Sequence, residues 1–167
     1  MDLQLAGKKA LVTAASQGIG NFIANTLAAE GADVSICART PEKVAAAVEE
    51  LKSHGTNVIG APCDVSDPDA LKAWVEDSAA QLGGIDILVN NAARGLERPR
   101  QALKQRPGHL HRSMDVNVFG PWTAVQLATP LMETRGGGVI VNLLSPGAEH
   151  YMSDYAAVGV SKGALNS

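Results

Sequence analysis

Short unbroken apolar runs alternate along this chain with stretches in which apolar residues return every three or four positions. The first kind fits parallel strands buried on both faces, and the second fits helices laid against them. Lys9–Val12 is the first predicted strand, followed by a helix over Gly18–Ala29 that turns Ile23, Leu27 and Ala28 inward and ends at Gly31. Val34–Ala38 is the second strand. Pro41 opens the next helix, Val44, Val48 and Leu51 form its apolar face, and Gly55 stops it. Val58–Ala61 is the third strand. Asp67-Pro68 starts a helix that buries Leu71, Trp74 and Val75 and closes at Gly83-Gly84. Ile85–Val89 is the fourth strand, Leu110–Met132 a long helix, and Val139–Leu144 the fifth strand. A last helix starts near Ser153 or Asp154 and is still running at Ser167. This rhythm predicts an α/β fold: a doubly wound parallel sheet between two helical layers, joined by right-handed crossovers.

Composition narrows the picture. The chain has 167 residues, 46% of them hydrophobic and 19% charged, which suits one globular domain over 1–167. A net charge of −3 leaves no overall nucleic-acid or membrane-surface footprint. No apolar run approaches the ~20 residues that span a bilayer. Met1-Asp2-Leu3-Gln4-Leu5 has neither the basic nor the apolar segment of a signal peptide, so the expected location is cytoplasmic. Cys37 and Cys63 both fall in predicted buried strands and read as small apolar core residues of a reducing compartment. No His or Cys stands at ligand spacing to either, so no metal site is expected.

The candidate chemistry begins at Thr13-Ala14-Ala15-Ser16-Gln17-Gly18-Ile19-Gly20, between the first strand and the first helix. A strand turning sharply into a helix aims free N–H groups and the positive end of the helix dipole at an anion such as a dinucleotide phosphate. Gly18 and Gly20 remove the Cβ atoms that would obstruct backbone approach and helix–strand packing. The second strand ends in Ala38-Arg39, where an acidic residue would bind a ribose 2′-hydroxyl; a guanidinium instead suits a 2′-phosphate.

Two places break the rhythm. Arg94–Arg112 carries six of the 14 basic residues, together with Pro99 and Pro107 and little apolar periodicity. It reads as a solvated surface loop, as a phosphate- or partner-binding patch, or as a stretch altered by a shifted reading frame. Ser161–Ser167 reads as mid-helix without a cap, which suggests a truncated chain.

Six motifs, in order over nearly the whole chain, resemble those of the short-chain dehydrogenase/reductase family. The Gly-rich turn is similar to Thr-Gly-x-x-x-Gly-x-Gly, with Ala14 in place of the first glycine. Asp64-Val65, Asn90-Asn91-Ala92-Ala93, Asp115-Val116-Asn117, Val141–Ser145 and Ser161-Lys162-Gly163-Ala164-Leu165 resemble the others, with Ala93 in place of a glycine. The resemblance implies a Rossmann-like three-layer sheet lacking its C-terminal strands, and hydride transfer between NADP(H), favoured over NAD(H), and a small carbonyl or alcohol substrate. It implies nucleotide contacts from Thr13, Ser16, Gln17, Gly18, Ile19, Gly20, Arg39, Asp64, Val65, Asn91, Ala92 and Lys162. Asp64 would accept from the adenine amino group, although a turn or capping role fits it too. Catalytic roles fall on Asn117, Ser145 and Lys162. The family's tyrosine, four residues before the lysine, is Val158 here, and valine has no proton to give. Loss of a general acid lowers rates by about 10²–10⁴-fold. Tyr155 is a poor substitute, a turn away along the same predicted helix. The resemblance also implies a homo-oligomer, and leaves a catalytically silent nucleotide-binding protein or an assembly partner as rival readings.

Overall fold

A computed structural model describes residues 3–95 and 101–167 of the protein. Five parallel strands form one sheet: β1 (Lys9–Thr13), β2 (Asp33–Ala38), β3 (Val58–Pro62), β4 (Ile87–Asn90) and β5 (Val139–Asn142), in the order β3-β2-β1-β4-β5. The helices are α1 (Gly18–Ala29), α2 (Pro41–Leu51), α3 (Pro68–Leu82), α4 (Pro107–Met114), α5 (Gly120–Glu133) and α6 (Ala156–Asn166). β1 shows why the sheet is covered twice. Ala10 and Val12 join Ala24, Ala28, Val34, Ile36 and Val44 in the core under α1 and α2. Leu11, pointing the other way, joins Leu71, Trp74, Val75, Leu88 and Ala124 under α3 and α5. The result is the doubly wound, Rossmann-like arrangement that the apolar pattern predicts.

Local chemistry fixes the helix ends. Asp67 caps α3, its Oδ1 accepting from the amides of Asp69 (3.0 Å) and Ala70 (3.2 Å), with Pro68 in the first turn. Gly83 ends it in the left-handed conformation at φ 81°.

The structure corrects several sequence expectations. The fourth strand is Ile87–Asn90, so Ile85 is buried but precedes it, and the fifth stops at Asn142. Cys37 lies in β2, whereas Cys63 lies just past the end of β3; both are buried free thiols. The long helix begins at Pro107, and Asp115–Phe119 within it forms a π-helical segment. Pro121, inside the run, has no N–H to return to the preceding turn, which loosens the helix at that point. The last helix begins at Ala156, and Tyr155 is its capping residue rather than part of its face. Within the basic stretch, 102–104 form a 3₁₀ turn and 107–114 a helix, while Arg98, Pro99 and Arg100 fall outside the described residues. β5 is an edge strand, paired with β4 alone, and Val139, Ile140 and Val141 are exposed.

Candidate nucleotide cleft and active site

β1 and β4 are neighbours in the sheet, so the crossovers leaving them diverge to opposite faces and open a crevice at the carboxyl ends of the strands. The turn after β1 forms one wall. The Ala15 amide donates to the Cys37 carbonyl (3.0 Å), Ala14 sits at φ 53° and Gly18 at φ 64°. α1 then starts without a side-chain cap. The side-chain oxygen of Gln17, the capping residue, accepts instead from Lys43 Nζ (2.9 Å), so the first-turn amides of α1 are free to receive an anion. Gly20 is required by packing: a Cβ there would lie 2.7 Å from the Ala14 carbonyl oxygen.

Thr13 and Asn91 brace this wall. Thr13 Oγ1 accepts from the amides of Asn91 (3.0 Å) and Ala92 (3.1 Å), and Asn91 Nδ2 donates to the carbonyls of Thr13 (2.9 Å) and Ala14 (3.2 Å). The resemblance places both at the nucleotide; in the structure these polar atoms hold the turn.

A cavity of about 410 Å³ occupies the crevice. Of the residues that the resemblance places at a nucleotide, Ser16, Gln17, Arg39, Asp64, Val65 and Ala92 line it, whereas Thr13, Gly18, Ile19, Gly20, Asn91 and Lys162 do not. Lys43, which sequence reasoning missed, and Arg94 also line it. Lys43 carries a readable signal, one helical turn beyond Arg39. Arg94 opens the basic stretch for which a solvated loop and a phosphate- or partner-binding patch are both open, and nothing in its sequence singles it out from its basic neighbours. Asp64 adopts the turn role, its Oδ1 accepting from the Ser66 amide (3.0 Å) and hydroxyl (2.7 Å). Burial pushes its carboxyl up, but the Ser66 bonds and the charges of Arg39 and Arg94 outweigh this and leave it below the usual carboxylate range. Of the two thiols by this wall, burial pushes Cys37 up, and a hydrogen bond to Cys37 draws Cys63 down.

The catalytic candidates come together in part. Asn117, at the centre of the π-helical segment, is fully buried; its Nδ2 donates to Ser161 Oγ (2.8 Å) and to the Arg94 carbonyl (3.0 Å), and its Oδ1 accepts from the Arg94 amide (2.7 Å). Lys162 is 3% exposed, and its Nζ donates to the Leu143 carbonyl (2.6 Å), just before Ser145; burial pulls this ammonium below the usual lysine range. Ser145 Oγ is buried and without a hydrogen-bond partner among the described residues. Val158, at the position where the resemblance expects a tyrosine, is 2% exposed and packs toward Gly95. Tyr155 lays its ring against Gly147 and Gly159, and Tyr151 is exposed.

The residues present fit a dinucleotide. Open space surrounds the missing Cβ of Gly18, the helix amides are uncapped, and cations border the cavity. Among the described residues, no group of three or more His, Cys, Asp or Glu could hold a metal, and no helix is long and apolar enough to cross a membrane.

A family model described as short chain dehydrogenase matches residues 8–167. A 3-oxoacyl-[acyl-carrier-protein] reductase from Staphylococcus aureus is 37% identical over 166 residues, spanning 94% of this chain and 67% of the relative. A fatty acyl-CoA reductase from Mycobacterium tuberculosis is 34% identical, over 99% of this chain and 56% of its own. Among solved structures, a 7α-hydroxysteroid dehydrogenase complexed with NADH and 7-oxoglycochenodeoxycholic acid superposes with a TM-score of 0.91 at 34% identity, over 98% of this chain and 63% of that one. A metagenomic short-chain oxidoreductase in complex with NADP gives a TM-score of 0.89 at 34% identity, over 97% of this chain and 73% of that one. The chain thus spans a little over half to about three quarters of these proteins, and it belongs to the short-chain dehydrogenase family of oxidoreductases.

Proposed function

We propose that the chain binds NADP(H) in the crevice above the β1–α1 turn and carries an incomplete apparatus for carbonyl–alcohol interconversion. The observation that carries this reading is the cavity running from the uncapped start of α1 to Arg39, with no carboxylate at Ala38 to favour an unphosphorylated ribose. The Arg39 guanidinium offers a 2′-phosphate a bidentate, charge-assisted contact. A bound nicotinamide supplies or accepts the hydride. The protein's share of the chemistry is polarisation of the carbonyl by Ser145, whose hydroxyl has no competing partner among the described residues, with Lys162 held behind it by the Leu143 carbonyl. Val158 leaves the proton without a donor, so turnover is weak or absent. Two buried free thiols suit a reducing, cytoplasmic setting.

Titrating the chain with NADPH and NADH, followed by nicotinamide fluorescence, tests the reading. NADPH binds with a micromolar Kd and NADH about tenfold more weakly; no detectable binding of either overturns it. Incubation with NADPH and a panel of ketones checks the missing acid. Robust reduction that survives Tyr155→Phe would show that Val158 is no defect.

A second reading, an assembly partner, is favoured by two aromatic residues presented to solvent on the long helical run, Phe119 (57% exposed) and Trp122 (65%). Light scattering separates the two: a clean monomer excludes the assembly role and leaves nucleotide binding intact.

A further inference from the structure

Lys43 lines the cavity and has no part in the reading above. It stands in the first turn of α2, which Pro41 opens directly after Arg39 and Thr40. Its side chain leaves the β2–α2 junction and crosses to the neighbouring β1–α1 junction, where Nζ donates to Gln17 Oε1 at 2.9 Å. That bond fixes the position of the charge. The ammonium lies against the capping residue of α1, and Gln17, Arg39 and Lys43 all line the same cavity.

The charge has no counter-charge there. The Gln17 amide oxygen is neutral, and none of the ion pairs among the described residues includes Lys43. Its own helix offers no carboxylate at the spacings that bring side chains together, since Arg39, Thr40, Ala46 and Ala47 occupy them. The other two cations of the cleft differ. Arg39 and Arg94 both act on the Asp64 carboxylate, which they help to hold low. Lys43 rests instead on a neutral oxygen, and a phosphate oxygen is the stronger acceptor for an ammonium.

Position selects among the phosphates of a dinucleotide. The bridging diphosphate has its own donors, the amides at the start of α1, which no side chain caps. The end of β2 is where a doubly wound sheet meets the ribose 2′ position. Lys43 springs from that junction, one turn beyond Arg39, and the bond to Gln17 holds it extended across the cavity wall.

Resting on the nucleotide reading, we propose that Lys43 is a second cation for the 2′-phosphate and, with Arg39, determines the preference for the phosphorylated nucleotide. Arg39 supplies the planar fork, and Lys43 supplies a point charge that the protein itself leaves unmatched.

The test compares Kd values for NADPH and NADH in the full-length chain and in its Lys43→Met, Lys43→Gln and Arg39→Ala variants. Lys43→Met keeps the length of the side chain and removes its charge. It weakens NADPH about five- to tenfold, by a smaller factor at high salt, and leaves NADH within about twofold. Arg39→Ala also weakens NADPH alone, and combining it with Lys43→Met brings the two nucleotides to the same affinity. Lys43 is exposed, so its replacement leaves the core intact, and Lys43→Gln repeats the measurement if the methionine variant folds poorly. Unchanged NADPH affinity in the Lys43 variants overturns this assignment while leaving the nucleotide reading standing. An equal loss for NADPH and NADH places Lys43 on the diphosphate and overturns it as well. Failure of the unaltered protein to bind either nucleotide removes the nucleotide reading itself, and this assignment with it.

Discussion

Ala14 holds a backbone conformation that side chains resist. Its φ of 53° lies in the left-handed region, where a Cβ crowds the following carbonyl by about 1–2 kcal/mol. Glycine escapes that crowding but loses about 0.5–1 kcal/mol through the freedom it gains in the unfolded chain. The first term is larger, so Ala14→Gly raises the stability of the fold by about 0.5–1 kcal/mol, readable as a shift of the urea midpoint at constant m-value. A loss of stability would mean that the alanine methyl group, which lines the cavity, contributes packing that outweighs its strain. The departure from the family's glycine is visible in the sequence, but the persistence of the glycine-like backbone is not. It is imposed by partners elsewhere in the chain, Cys37 through the Ala15 amide and Asn91 through the Ala14 carbonyl. Arg94 teaches the same lesson. Sequence alone places it in a basic loop, and only the distant Asn117 shows that it is held at the cleft.

Among the elements, the helices and strands with strong periodicity and punctuation were legible: α1 matches its predicted span, and Asp67, Pro68 and Gly83 mark the ends of α3 as they should. The interruption at Asp115–Phe119 was not, because the apolar spacing continues through it. Its signal is Gly120-Pro121. The proline lacks a donor, and a Cβ at Gly120 would lie 2.7 Å from the Val65 carbonyl, so this turn is fitted tightly against the segment after β3. The loosened turn turns the Asn117 amide toward Arg94 and Ser161. Asn117→Ala removes a fully buried amide that fills three hydrogen bonds and leaves the Arg94 amide and carbonyl to find new partners. The expected loss is about 2–3 kcal/mol in urea unfolding. A change below about 0.5 kcal/mol would show that water or local relaxation replaces the amide without penalty.

At the scale of the whole molecule, the two ends of the sheet do different work. The carboxyl ends of the strands open into the cleft, whereas the amino ends are fastened by charge. Lys9 on β1 pairs with Asp33 at the start of β2, and Asp86, just before β4, takes Arg135 in a two-pronged contact (2.9 and 3.1 Å) while also accepting from the Lys9 amide (2.8 Å). Burial raises both carboxyls, but their partners outweigh it and leave Asp33 and Asp86 below the usual aspartate range. The direction of the pH effect follows. A carboxyl whose folded pKa is depressed binds fewer protons in the native state than in the unfolded chain, so its contribution is complete above the unfolded value of about 4 and disappears as pH falls through the folded one. Stability therefore declines on acidification below about pH 4, and Asp33 and Asp86 at the amino ends of the strands contribute to the loss, as does Asp64 in the cleft. Asp86→Asn removes one fastening: at pH 7 it lowers stability by about 1–3 kcal/mol, because the Arg135 guanidinium keeps a neutral partner in place of a charged one. Under acid, wild type loses the same contribution by protonation, so the gap between the two proteins narrows as pH falls. Urea unfolding at pH 7, 5, 4 and 3 measures that gap; a constant difference across the series would place the pH dependence in other carboxyls and refute the assignment to Asp86.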